Sequence, residues 1–264
     1  MQRELLQILI KWKEKGDRKP LIIRGARQVG KTWLMKEFGK THYKNIAYVN
    51  FETALSLHHI FESGFEVEKL IMALKIETGA DIIPGETLII LDEIQECEAA
   101  ITSLKYFQEN ANQYHIVAAG SLLGVASNKK RSFPVGKVDF LDLHPLSFSE
   151  FLLAVNEPQL LNLLQKKDWG LITAFKSKYI DLLKHYYYVG GMPEVVLTFI
   201  DQKDFKKVRE KQLNILSAYE QDFSKHAPNE IVPRIRLVWQ SLPSQLAKEN
   251  RKFTYGNLKK GARA

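Results

Sequence analysis

The chain has little cysteine and no long apolar run, and each shortage excludes a class of protein. Its 264 residues include a single cysteine, Cys97, so no disulfide can form within the chain. Glu96 and Glu98 flank this cysteine and supply none of the positive charge that activates a thiol, so we expect it to be inert. No run of eighteen apolar residues occurs, and the first residues lack the apolar core of a signal peptide. We therefore expect a soluble, cytoplasmic protein with no membrane contact.

Acidic residues are fewer than basic ones, which leaves a net charge of +8 and a pI near 9.3. This surplus permits contact with nucleic acid, but it is equally typical of a basic surface without such a partner. With 45% hydrophobic and 26% charged residues, the composition is that of a globular protein with a proper core. Charge is therefore informative only where it clusters.

The pattern G-x-x-x-x-G-K-T occurs at residues 25–32, called the GKT loop below. It reads Gly25-Ala26-Arg27-Gln28-Val29-Gly30-Lys31-Thr32 and is followed by Trp33. Glycines let a backbone fold around a triphosphate, so that successive N–H groups and the next helix N-terminus face the phosphate charge. An apolar strand pattern precedes the loop and a helical pattern follows it, in the required order. Residues 25–33 are therefore predicted to bind a nucleotide.

Specific roles follow for the loop and for a second element at residues 87–93. Lys31 is predicted to reach the β and γ phosphates, and the Thr32 hydroxyl to take one position on Mg²⁺. Residues 87–91 form an apolar strand that ends in Asp92 and Glu93. We interpret this strand as Walker B, in which Asp92 holds Mg²⁺ through its water shell and Glu93 orients and deprotonates the attacking water. A pair of surface carboxylates at a strand end is the simpler alternative.

Further strands are predicted at residues 45–51, 115–121 and 138–143. The motif order is that of P-loop proteins in which an extra strand separates the two motifs in the sheet. We expect the carboxyl end of the 115–121 strand to lie beside that of the Asp92 strand. Ser121 would then sit near the γ-phosphate and sense it, or it simply begins a loop.

A polar, basic segment at residues 125–136 is predicted to be a mobile loop. Arg131 and the nearby Lys137 are candidates for a positive residue that completes the site of a neighbouring subunit in a homo-oligomer, although we favour a solvated surface loop. Ser147 and Glu150 form a capping box, which predicts that a helix starts there.

Together these segments resemble the prokaryotic AAA-type ATPases that carry a C-terminal domain of unknown function. The residues that carry the resemblance are Arg24 to Thr32, Leu91-Asp92-Glu93-Ile94-Gln95, Ala119-Gly120-Ser121, Leu143-His144-Pro145-Leu146-Ser147-Phe148 and Tyr188-Val189-Gly190-Gly191-Met192-Pro193-Glu194-Val195-Val196. The last of these looks like the family's Gly-Gly-x-Pro segment. The likeness covers nearly the whole chain.

The resemblance implies an α/β fold, a P-loop NTPase three-layer sandwich with a parallel five-stranded sheet. It implies an AAA-like ATP-binding domain at residues 1–150, a helical lid at 151–200, and a winged-helix-like start of a C-terminal domain at 201–264. Two features depart from the family. Gly136-Lys137 stands where many relatives have Gly-Arg, and relatives continue into a nuclease-like fold, so we expect the chain to be a fragment or a truncated form.

Three short helical pieces are predicted near the C-terminus, at residues 235–241, 244–248 and 255–260, with helix-turn-helix spacing. Basic residues cluster there and are candidates for DNA contact: Lys248, Arg251, Lys252, Lys259, Lys260 and Arg263. A solvated basic tail is the interpretation that we favour.

From these patterns we expect an ATP-binding protein, a Mg²⁺-dependent ATPase whose nucleotide state moves the lid. A nucleotide-gated switch with little turnover, or a DNA-associated interaction module, is the alternative. A small-molecule kinase is a third class, but the carboxylate pair at residues 92–93 favours activation of water.

Overall fold

The computed structural model describes residues 3–121, 134 and 136–249, without the side chains of Ser121 and residues 223–226. The chain divides into two compact units, of which the first ends at Asp201 and the second begins at Gln202. Arg131 and the basic residues from Arg251 onward lie outside the described residues, so the predictions made for them stay predictions.

A parallel five-stranded sheet forms the centre of the first unit. Its strands are β1 (Leu21–Gly25), β2 (Asn45–Asn50), β3 (Thr87–Asp92), β4 (His115–Ser121) and β5 (Asp139–Asp142). The strand order is β2-β3-β4-β1-β5, and all neighbours pair in parallel. The predicted α/β class and parallel sheet are confirmed. Because β4 separates β1 from β3 and pairs with both, the predicted order of the two motif strands is confirmed as well.

Helices cover both faces of this sheet, as the alternation of side chains along the strands requires. Ile22 and Ile89 belong to one apolar cluster, whereas their neighbours Ile23 and Ile90 belong to another. The helices that alternate with the strands are α1 (Leu5–Glu14), α2 (Lys31–His42), α3 (Leu55–Ser63), α4 (Val67–Thr78) and α5 (Glu98–Asn110). Three layers result, in agreement with the predicted sandwich.

Five helices follow the sheet, and the last of them ends at the boundary between the two units. They are α6 (Phe148–Ala154), α7 (Pro158–Lys166), α8 (Trp169–Ala174), α9 (Lys176–Val189) and α10 (Pro193–Gln202). The capping box at the start of α6 is confirmed, since Ser147 and Glu150 exchange both side-chain-to-backbone hydrogen bonds. The division of the chain at residues 150 and 200 stays a prediction. None of the helices in the described part of the chain is long and apolar enough to cross a membrane.

The described part of the second unit, which ends at residue 249, contains two helices, α11 (Phe205–His226) and α12 (Val232–Leu246). The prediction of separate pieces at residues 235–241 and 244–248 is wrong, because α12 continues through Pro243. Proline cannot donate a hydrogen bond to the preceding turn, but the helix continues beyond it, and the carbonyl of Pro243 accepts from the Ala247 N–H at 3.0 Å. The third piece, at residues 255–260, lies outside the described residues, so the winged helix remains a prediction.

The chain that leaves β5 runs across the start of the GKT loop. The Leu143 N–H donates to the Arg24 carbonyl at 2.7 Å, and the Leu143 carbonyl oxygen lies where a side chain on residue 25 would stand. Only glycine fits there. Three residues later, the Leu146 N–H donates to the Gly191 carbonyl at 2.7 Å. This short segment therefore contacts both the GKT loop and the turn before α10.

Candidate active site

The GKT loop and the acidic end of β3 meet where the parallel strands have their carboxyl-terminal ends, called the carboxyl edge of the sheet below. The Thr32 hydroxyl donates to Asp92 Oδ2 at 2.6 Å, which brings together the two residues predicted to hold Mg²⁺. The strand β4 lies between β1 and β3, and it pairs Ser121 with Gly25 of β1. The backbone of Ser121 is thus beside the start of the loop, and its predicted role as a sensor stays a prediction.

The Asp92 carboxylate is buried, with 2% of the residue exposed, and it accepts hydrogen bonds on both oxygens. Besides Thr32, the Tyr48 hydroxyl donates to Oδ2 at 3.1 Å, and the Glu93 N–H donates to Oδ1 at 3.1 Å. Burial raises the pKa of Tyr48, and the negative charge of Asp92 raises it further. The tyrosine therefore keeps its proton and serves as a donor that orients Asp92.

Lys31 is also buried, with 7% of the residue exposed. Its ammonium donates to two carbonyl oxygens of the loop, those of Gly25 at 3.0 Å and Ala26 at 2.9 Å. Burial lowers the pKa of Lys31, while the charges of Glu93 and Asp92 act in the opposite direction. A phosphate oxygen would be a stronger partner for this cation than a neutral carbonyl.

Two of the five non-glycine residues with positive φ in the described part of the chain lie at this end of the sheet. Gln28 has φ 64° and Glu93 has φ 49°, both in the left-handed region that side chains other than glycine rarely adopt. Such conformations cost free energy and recur at functional sites. Gly30 has φ 95° and precedes the first residue of α2, so the unpaired N–H groups of that helix begin directly after the loop.

Glu93 departs from the strand and lines a cavity that Asp92 does not. Its Oε2 accepts a hydrogen bond from the Gln95 side-chain amide at 2.5 Å. The cavity has a volume of about 610 Å³ and is lined by Arg3, Arg27, Gln28, Gly30, Lys31, Thr32, Trp33, Glu52, Glu93, Pro193, Glu194 and Leu197. This volume is within the usual range for small-molecule sites.

Six of the nine residues predicted to bind nucleotide line the cavity, namely Arg27, Gln28, Gly30, Lys31, Thr32 and Trp33. Val29 instead packs its side chain into an apolar cluster. Gly25 and Ala26 contribute the carbonyls that hold Lys31. Lys137 forms an ion pair with Glu109 at 2.9 Å, and its predicted role between subunits stays a prediction.

Residues 17–152 match the family model described as an AAA domain, and this match covers more than half of the chain. The chain belongs to this AAA family. The matched segment contains Lys31, Asp92 and Glu93. A second model, described as a domain of unknown function, matches residues 180–264. The resemblance to AAA-type proteins with such a C-terminal domain is confirmed.

Solved structures also resemble this AAA protein. DnaA from Aquifex aeolicus bound to AMPPCP has a TM-score of 0.42 at 11% identity, over 96% of this chain and 80% of that chain. ORC from Drosophila bound to DNA has a TM-score of 0.40 at 16% identity, over 95% of this chain and 68% of that chain. A RuvB variant from Thermotoga maritima has a TM-score of 0.37 at 16% identity, over 61% of this chain and 49% of that chain. A comparison with curated protein sequences finds no match.

The sequence patterns missed several residues of the site. Glu52 lines the cavity from within the segment matched as an AAA domain, and two further contributions lie outside that segment. Arg3 lines the cavity from the N-terminal side, and Pro193, Glu194 and Leu197 line it from α10. The Gly-Gly-x-Pro resemblance could have directed attention to α10. Arg3 carries no local signal, because its ion-pair partner Glu150 is 147 positions away.

Proposed function

We propose that this AAA protein binds ATP with Mg²⁺ in the cavity at the carboxyl edge of the sheet and hydrolyses it to ADP and phosphate. The observation that carries the proposal is the 2.6 Å contact between the Thr32 hydroxyl and the Asp92 carboxylate, beside the Lys31 ammonium and Glu93. Membership of the AAA family supports the binding of ATP.

The residues present fit a magnesium ion. Thr32 Oγ1 and Asp92 Oδ2 are hard oxygen ligands, and the bonds from Tyr48 and the Glu93 N–H already fix the orientation of the carboxylate. Mg²⁺, when bound, neutralises the charge on the phosphate oxygens. The Thr32 proton must then turn away from Asp92, so that both oxygens can face the ion or its water shell.

The phosphates would be held by the GKT loop. Lys31 exchanges its contacts with the Gly25 and Ala26 carbonyls for phosphate oxygens, which are charged and accept more strongly. The first N–H groups of α2 have no partner within the helix and face the same charge. The loop therefore supplies one movable cation and a fixed set of donors.

Hydrolysis would use Glu93 as the base. The oxygen of a water molecule attacks the γ-phosphorus, its proton passes to a Glu93 carboxylate oxygen, and the bond from the γ-phosphorus to the leaving ADP oxygen breaks. The two neighbouring carboxylates have different surroundings, because β3 ends at Asp92 and Glu93 turns out of the strand at φ 49°. Asp92 stays buried beside Thr32, whereas Glu93 faces the cavity.

The test compares phosphate release from ATP and Mg²⁺ by the wild-type protein and by Glu93→Gln. The variant keeps the shape of the side chain and loses the proton acceptor, so turnover should fall by about 100-fold or more at unchanged ATP affinity. Equal turnover in the two proteins would remove Glu93 from the mechanism. Repeating the assay over a range of protein concentrations, with and without duplex DNA, tests the predicted homo-oligomer and the predicted DNA contact.

The alternative is a nucleotide-gated switch, and the Gln95 hydrogen bond favours it. An amide that occupies Glu93 Oε2 at 2.5 Å competes with water for the carboxylate, which would prolong the ATP-bound state. Gln95→Ala should then raise turnover several-fold without changing ATP affinity. If Gln95→Ala and the wild-type protein hydrolyse ATP at the same rate, this hydrogen bond does not restrain the base.

A further inference from the structure

Arg3 is buried against the GKT loop and connects three parts of the first unit. Its Nε donates to Glu150 Oε1 at 2.9 Å, its Nη1 to the Val29 carbonyl at 3.0 Å, and its Nη2 to the His144 carbonyl at 2.5 Å. Only 6% of the residue is exposed. A buried cation with three acceptors is held in one orientation, because any rotation breaks charge-assisted hydrogen bonds.

The contact with Val29 determines which way a peptide group of the loop faces. The peptide bond between Val29 and Gly30 is trans, and in a trans peptide the C=O and N–H bonds point in opposite directions. With the carbonyl held by Arg3, the Gly30 N–H of the same peptide group therefore points away from Arg3. Gly30 has φ 95°, and glycine adopts positive and negative φ with similar ease. Local sterics therefore leave the peptide free to flip, and Arg3 selects one orientation.

Arg3 is itself fixed by the start of α6. The ion pair with Glu150 is buried, with 4% and 5% of the two side chains exposed. Glu150 also accepts from the Ser147 N–H at 3.0 Å and from the Glu4 N–H at 2.9 Å, so its carboxylate cannot easily follow a displaced partner. The orientation of the loop peptide is thus determined by residues far from it in sequence.

We propose that Arg3 is a positioning residue for phosphate binding. By holding the Val29 carbonyl, it presents the Gly30 N–H to a phosphate in the loop. This inference rests on the proposed function, since it assigns a donor to the phosphates of the bound nucleotide. Its consequence is specific: loss of Arg3 weakens the binding of phosphate groups and leaves the binding of the nucleoside unchanged.

The test measures the affinity of ATP and ADP, with Mg²⁺, and of adenosine as a competitor of a fluorescent nucleotide. In Arg3→Met, affinity for ATP and ADP should fall about tenfold, while affinity for adenosine stays at the wild-type value. The matched control is Arg18→Met. Arg18 also donates to backbone carbonyls, those of Lys13 and Asn112, at the opposite edge of the sheet. The Arg18→Met variant should have a lower melting temperature than the wild type and unchanged affinities for ATP, ADP and adenosine.

Further variants separate positioning from folding. Arg3→Lys keeps the charge but cannot reach all three acceptors, so it should bind ATP with an affinity between those of the wild type and Arg3→Met. If Arg3→Met does not fold because Glu150 is left unpaired, the same measurement is made on Arg3→Met with Glu150→Gln, in which neither position of the buried ion pair carries a charge.

Three outcomes would overturn the proposal. Wild-type affinity for ATP in the Arg3 variants would show that the contact does not position the loop. An equal loss for ATP and adenosine would show a general structural role. A wild-type protein that binds neither ATP nor ADP would refute the proposed function first, and Arg3 would have no phosphate to position.

Discussion

The amino-terminal ends of the parallel strands form one edge of the sheet, called the amino edge, and their carboxyl-terminal ends form the carboxyl edge. These two edges bury titratable groups in opposite ways. At the amino edge, the Tyr43 hydroxyl and His115 Nδ1 share a hydrogen bond of 2.7 Å, and the Trp12 and His115 ring centres are 6.2 Å apart. Burial lowers the pKa of His115 to about 4, and the positive charges of Arg18 and Lys13 add to that effect. The histidine is therefore neutral at pH 7, and this edge buries polarity without charge.

The carboxyl edge instead keeps a buried cation beside acidic residues. Lys31 lies against loop carbonyls near Asp92 and Glu93, whose charges oppose the effect of burial on its pKa. Strained backbone occurs here too, at Gln28 and Glu93. Burial alone thus does not identify a functional site. A functional site is indicated where opposite charges are buried together and the backbone is strained. Both features cost stability, so selection for folding alone would remove them.

The largest effect is expected for Lys31→Ala. Loss of the loop cation should weaken ATP binding by about 100-fold or more, whereas the free energy of unfolding should stay the same or rise, because a buried cation is removed. Calorimetry and urea unfolding measure the two quantities. Lys40→Ala is the control and should keep the wild-type ATP affinity, since Lys40 is exposed in the last turn of the same helix. Unchanged ATP affinity in Lys31→Ala would erase the contrast between the edges.

The next effect concerns stability at the amino edge. The folded-state pKa of His115, about 4, is below the ordinary value of 6.5, so the unfolded state takes up the proton first as the pH falls. The stabilising contribution is present above pH 6.5 and is lost between pH 6.5 and 4. At pH 5 the loss should be about 2 kcal/mol.

His115→Gln keeps a partner for Tyr43 and cannot take up the proton. Urea unfolding at pH 7.5 and pH 5 should therefore show a smaller loss of stability in this variant than in the wild type. Its ATP affinity at pH 7.5 should equal that of the wild type, because the residue lies at the opposite edge from the GKT loop. A pH dependence identical to that of the wild type would exclude His115 as its source.

Asp92→Asn should act through the metal. Asparagine keeps an oxygen for the Thr32 and Tyr48 hydroxyls but lacks the negative charge, so the Mg²⁺ concentration required for half-maximal turnover should rise about tenfold. A magnesium titration of ATP hydrolysis measures this shift. If the titration curves coincide, the buried carboxylate serves folding and not the metal.

The smallest effect is expected for Tyr48→Phe, which removes one of three hydrogen bonds to the Asp92 carboxylate. The magnesium requirement should rise about threefold, and stability should fall by about 1 kcal/mol. Tyr43→Phe is the matched change at the amino edge and should lower stability alone. An equal magnesium shift in both variants would mean that the tyrosine at the carboxyl edge has no special connection with the metal.

The sequence patterns predict most of the carboxyl edge, because its parts are local. A strand, a glycine loop and a helix are contiguous, and the carboxyl ends of parallel strands meet at one edge, so proximity of Thr32 and Asp92 follows from strand order. Arg3 could not be found in this way, because no periodicity relates it to Glu150. The contact of Tyr48 with Asp92 depends on rotamers that the strand pattern does not specify.

The same difference explains the error near the C-terminus. The gap between the predicted pieces at residues 235–241 and 244–248 contains Pro243, and α12 continues through this proline. A local rule gives a tendency, and tertiary context decides the outcome. The position of β4 between β1 and β3 was predictable because it follows from the order of whole elements.

That position has a consequence for the nascent protein. Both neighbours of β1, namely β4 and β5, are translated long after it, so the GKT loop leaves the ribosome well before β1 has a strand to pair with. The ion pair of Arg3 forms later still, because Glu150 is among the later residues of the first unit to be translated. The carboxyl edge is thus assembled late in synthesis, and until then β1 is an apolar strand with no neighbour on either side, which is the kind of segment that pairs with other chains.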